Sequence, residues 1–134
     1  NIHICYDFIH NKGIDRNKIK KIKFLLKNNI IQLSNELVNQ IFASKTSTQK
    51  IKKWALKKKY NDNITENDFS NIENLILGVI NDYHNDFLQY FLDRIDKSYN
   101  FWNLLPIILK KYTWFDNYTN ILLKYCNMYS CKLE

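Results

Sequence analysis

Residues 65–95 read TENDFSNIENLILGVINDYHNDFLQYFLDRI. Within them Phe69, Ile72, Ile76, Val79, Ile80, Tyr83, Phe87, Tyr90, Phe91 and Ile95 recur at intervals of three and four. That is the period of a helix with one broad apolar face. The spacing predicts a long central helix over about 66–96, with Asn81 to Asn85 the place where it would kink. Thr65 followed three residues later by Asp68 predicts a capping box, in which the threonine oxygen accepts from a free amide of the first turn. Gly78 costs about 1 kcal/mol against alanine in a helix, so its use there would be a close crossing by another helix. Such a face cannot stay wet, and the rest of the chain is expected to wrap it.

Upstream, Gly13 ends an opening segment whose Ile2, Ile4, Tyr6 and Phe8 alternate but whose Ile4/Phe8 and Cys5/Ile9 pairs fit a helix. A helix is then predicted from Arg16 to about Asn28, capped by Asp15, with Ile19, Ile22 and Leu26 facing inward. Ser34 caps a short helix through Ala43 that buries Leu37, Val38 and Ile41. After the polar turn Ser44-Lys45-Thr46-Ser47, a helix from Thr48 to Tyr60 turns Ile51, Trp54 and Ala55 inward, and Lys52, Lys58 and Lys59 widen its basic surface. Asn61-Asp62-Asn63 reads as a hinge. Downstream, residues 97–100 form a turn, Pro106 opens or kinks a helix, and Asp116 caps a last one facing the core with Tyr118, Ile121, Leu122 and Tyr125. The expectation is an all-α fold, a compact antiparallel bundle of about five to seven helices.

A chain of 134 residues with 46% hydrophobic residues is long and apolar enough to bury a core as one domain, residues 1–134. It starts at Asn1 rather than Met, which predicts a fragment or processed form of a larger protein. The longest uncharged apolar run near the end, Asn103 to Leu109, is far too short to span a bilayer, so no transmembrane segment is expected. Asparagine, lysine and isoleucine dominate while alanine, glycine and arginine are scarce, the pattern of AT-rich codons. Codon bias inflates the lysine count, but it does not sort charge along a chain. Residues 1–60 hold fourteen Lys/Arg against Asp7, Asp15 and Glu36, whereas residues 61–134 hold six against ten acids. The chain therefore divides into a basic half, 1–60, and an acidic, aromatic half, 61–134.

The lysines fall on stripes. Lys20, Lys23 and Lys27 recur at helical spacing, as do Lys50, Lys53 and Lys57, with Lys58 beside them. These seven are the candidate binding residues. Lysine is a compact, mobile point charge suited to tolerant docking on acidic protein, phosphate or anionic lipid. An acidic protein surface is the expected partner, with an anionic membrane surface a further possibility. The alternative is nucleic acid, held mainly by its phosphates through the helix-turn-helix-like segment 36–60, since that segment lacks arginine for reading base edges.

Other constellations carry less. Asp82, Asp86 and Asp93 share a helical face, but His84 is turned away from it and no second acidic row completes a metal site. His3, Cys5 and His10 match no zinc spacing, and no glycine-rich phosphate loop exists. No set of residues meets the geometric needs of catalysis, so the chain is expected not to be an enzyme and to use no cofactor. Three cysteines, Cys5, Cys126 and Cys131, make no disulfide framework and point to a reducing compartment.

Overall fold

The structure, a computed structural model, describes residues 16–44, 47–80, 85–111 and 117–130. Seven α-helices lie among them, with no strand. They are α1 (Arg16–Lys27), α2 (Asn35–Ala43), α3 (Gln49–Tyr60), α4 (Ile72–Val79), α5 (Asn85–Asp93), α6 (Leu105–Lys111) and α7 (Asn117–Tyr129). Two 3₁₀ turns, Glu66–Asn71 and Phe101–Leu104, lead into α4 and α6. Among the described residues no helix is long and apolar enough to cross a membrane. The chain divides into two compact units, Asn1–Asp62 and Asn63–Glu134, and the boundary falls inside Asn61-Asp62-Asn63 where the charge changes sign.

In the first unit, side-chain caps set where α2 and α3 begin. Ser34 Oγ accepts from the Leu37 amide at 3.2 Å, and Thr48 Oγ1 accepts from the Ile51 amide at 3.3 Å. Each satisfies a donor that the first turn would leave orphaned. Asparagine ends two of the three helices. Asn29 beyond α1 and Asn61 beyond α3 take left-handed conformations, φ 58° and 55°, that a β-branched residue would resist. The Ser47 hydroxyl donates to the Ile41 carbonyl and ties the connection back onto α2. Leu37, Val38, Ile41 and Phe42 of α2 are buried, as are Ile51, Ala55, Leu56 and Tyr60 of α3.

Two assignments on α3, Trp54 inward and Lys52 outward, are overturned. Trp54 is only half-buried, while Lys52 is 1% exposed. The reason is the arc that α3 covers. Lys52 stands one and two turns from the buried Leu56 and Tyr60, whereas Trp54 sits at the edge of that arc. Lys52 therefore does not widen the basic surface.

The second unit is built on the stretch that decided the class. Ile72, Ile76, Val79, Ile80, Phe87, Phe91 and Ile95 are all buried, so the apolar face faces a core. The long helix over 66–96 is not what carries it. Its first part is 3₁₀, α4 ends with Ile80 as its cap, and α5 ends at Asp93. Thr65 makes no side-chain cap, and the Asp68 amide reaches the Thr65 carbonyl instead, at 2.9 Å. The tighter i→i+3 turn satisfies that amide without a capping box. Beyond α5, Ile95 leaves the helix for an isolated parallel bridge with Ile64. Ile64 donates to the Arg94 carbonyl at 2.7 Å and accepts from the Asp96 amide at 2.9 Å. A buried backbone needs both partners, and the bridge supplies them where the helix stops.

The close of the unit is a clamp around Ser130. Its hydroxyl accepts from the Phe101 amide at 2.8 Å and donates to the Tyr99 carbonyl at 3.2 Å. Its carbonyl accepts from the Trp102 indole at 3.0 Å, so the end of α7 is tied to the second 3₁₀ turn. Pro106 lies in the first turn of α6, where its missing N–H costs nothing. The expected caps Asp15 and Asp116, the opening segment with His3, Cys5 and His10, and Asp82, His84 and Cys131 lie outside the described residues.

Candidate binding groove

The basic residues of α1 and α3 meet at Trp54. A groove of about 430 Å³ is lined by Lys23, Leu26 and Lys27 from α1 and by Trp54 and Lys58 from α3. Helical spacing explains the grouping. Lys23 and Lys27 stand one turn apart with Leu26 between them, and Trp54 and Lys58 stand one turn apart on α3. The Lys23 ammonium lies over the Trp54 ring, 5.4 Å from its centroid. At that distance the ring's negative face attracts the cation, which orients both side chains. Leu26, read from sequence as a core residue, is half-buried and forms apolar wall.

The remaining candidates are dispersed. Lys20 is exposed and borders a separate depression of about 280 Å³ with Lys21, Phe24 and Leu25. Phe24 is 61% exposed there. Lys50 and Lys57 are exposed and Lys53 is half-buried, and none of the three lines the groove. Of the seven lysines, the structure brings together Lys23, Lys27 and Lys58. Besides Lys52 and Leu26, the residue that sequence reasoning misplaced is Trp54. Spacing within α3 carried no signal for it, since Trp54 follows the buried Ile51 by three residues.

A second cluster, in the other unit, gathers cations and aromatics but serves itself. Lys97 lies over the rings of Tyr129, Tyr125 and Phe101, at 5.0, 5.4 and 5.9 Å from their centroids. Its ammonium donates to the Leu92 and Asp93 carbonyls at 3.3 and 3.4 Å, which places a positive charge at the C-terminal end of α5. Desolvation among the rings pulls its pKa down, against the pull of Asp93 and Asp96. The Tyr125 hydroxyl donates to the Asp93 carboxylate, and desolvation followed by that bond pushes the phenol well above its ordinary range. Arg94 stacks on Tyr90, its guanidinium 3.5 Å from the ring centroid. Each cation in this cluster is already engaged within the chain.

Among the described residues no group of three or more His, Cys, Asp or Glu is placed to hold a metal ion. Asp86 is exposed, and Asp93 is taken by Tyr125. Cys126 is a free, buried thiol, and burial pushes its pKa up to about 11. A thiol held neutral is a poor nucleophile. Compared with known protein families, with characterised proteins and with solved structures, the chain has no match.

Proposed function

We propose that this chain is a non-catalytic helical interaction protein whose lysine-rich N-terminal half docks on an acidic protein partner. The observation that supports this reading is Trp54, a half-exposed indole set among Lys23, Lys27 and Lys58. Tryptophan is among the side chains that carry most of the binding energy at protein interfaces. The charges would steer the encounter and the indole would hold the complex. The groove becomes the centre of the surface, and the outer lysines Lys20, Lys50, Lys53 and Lys57 contribute to the long-range field.

A surface titration with two probes tests the reading: poly-glutamate as the acidic protein surrogate, and random-sequence single-stranded DNA. Poly-glutamate should bind in low salt, and replacing Lys23, Lys27 and Lys58 with Gln should weaken it more than replacing Lys50, Lys53 and Lys57. Tight DNA binding whose log affinity falls by about 0.7 per phosphate for each log unit of salt, with no poly-glutamate binding, would install the nucleic-acid alternative. Failure to bind either probe would remove the basic half as a docking surface.

A further inference from the structure

We propose that the groove between α1 and α3 takes a short acidic segment with one large apolar side chain, and this rests on the acidic-partner reading above. Size argues first. About 430 Å³ falls low in the range of roughly 300–1,000 Å³ that small-ligand clefts occupy, so it admits a side chain and its flanks rather than a folded surface. The wall chemistry argues second. Leu26 and Trp54 offer apolar area on facing helices, and a purely polar acidic ligand would leave both uncovered.

The arrangement of charge argues third. Lys23 and Lys27 are four residues apart on α1, a rise of about 6 Å along the helix, with Leu26 between them. A segment lying along α1 therefore meets two ammonium groups one turn apart, with Leu26 and Trp54 as apolar walls, while Lys58 lines the groove from α3. The occupant must therefore carry acidic residues around one apolar side chain. A stacked nucleobase fits less well. It needs an aromatic face, and the Trp54 ring already carries the Lys23 ammonium 5.4 Å from its centroid. A carboxylate can approach that ammonium from outside without displacing it from the ring.

Fluorescence anisotropy on the full chain tests this, with two labelled Glu/Asp-rich peptides that differ only at one central position, Leu or Ser. The Leu peptide should bind roughly ten-fold tighter or more, the worth of burying such a side chain. Trp54→Ala should erase that preference while leaving the weaker, salt-sensitive binding of the Ser peptide. Trp54→Phe should retain most of it, and Leu26→Gln on the opposite wall should lose it. Circular dichroism confirms that each variant is folded, and Leu26→Gln decides the matter should Trp54→Ala unfold. Equal affinity of the two peptides would overturn the anchored-segment inference and leave acidic docking standing. A Leu preference that survives both wall substitutions would overturn it too, by placing the anchor site elsewhere. No binding of either peptide would bring down both the inference and the reading beneath it.

Discussion

Lys97 and its neighbours show how much a single side chain settles in this protein. It is at once the cation at the end of α5 and the cover of an aromatic cluster in which Tyr99, Phe101, Tyr125 and Tyr129 touch in sequence. The Tyr99 and Phe101 rings meet edge to face, 5.5 Å apart at 88°, the geometry that aromatic quadrupoles favour. Burial also makes these groups reluctant to ionise. Tyr99 is pushed from an ordinary 10.0 to about 12, by desolvation first and then the Glu73 charge, and Cys126 from 9.0 to about 11 by desolvation. Both folded values lie above the unfolded ones, so the unfolded chain loses these protons first. Their stabilisation is complete below about pH 9 and drains away as pH rises through about 11 to 12. Thermal midpoints should therefore fall steadily on the alkaline side. Replacing Cys126 with Ser should flatten the first part of that decline, and an unchanged slope would show that the thiol ionises no differently in the fold.

At the scale of elements, capping and burial share the work of specifying α2 and α3. Ser34→Ala and Thr48→Ala should each cost about 0.5–2 kcal/mol, because each removes the acceptor of a first-turn amide. Thr65→Ala should cost less, since Thr65 provides no side-chain cap to its 3₁₀ turn. Urea titrations of the three variants check the order, and a Thr65 cost equal to the others would restore the capping box. The same contrast explains why the stretch from 65 to 95 is broken. Its apolar spacing persists throughout, but Ile64 bonds the Arg94 carbonyl and the Asp96 amide on either side of Ile95, and that bond pattern takes Ile95 out of the helix. Phe87 and Phe91, both fully buried, keep the helical face of α5 on the core.

For the molecule as a whole, the sorting of charge is the dominant feature. Fourteen of the twenty basic residues lie in residues 1–60, and the field of that half reaches beyond any single contact. An acidic partner should associate faster in low salt, and the gain should shrink once the screening length falls to about 8–10 Å near physiological ionic strength. Stopped-flow association with poly-glutamate should show Lys20, Lys50 and Lys57 acting on the on-rate, while Trp54 and Leu26 act on the off-rate of the Leu-anchored peptide. Outer lysines that change only dissociation would contradict steering.

What the sequence determined by itself follows from rules that act within a turn or two. The three-and-four spacing established the all-helical class. Ser34, Thr48 and Asn61 marked helix ends. What only the tertiary structure decided is which arc of each helix is covered. Lys52 lies inside and Trp54 at the rim because the neighbours of α3 cover the arc through Leu56 and Tyr60, a choice that spacing within α3 does not contain. The bridge between Ile64 and Ile95 and the groove between α1 and α3 have the same origin. Each depends on residues some thirty positions apart, whose meeting is set by packing and not by any local preference.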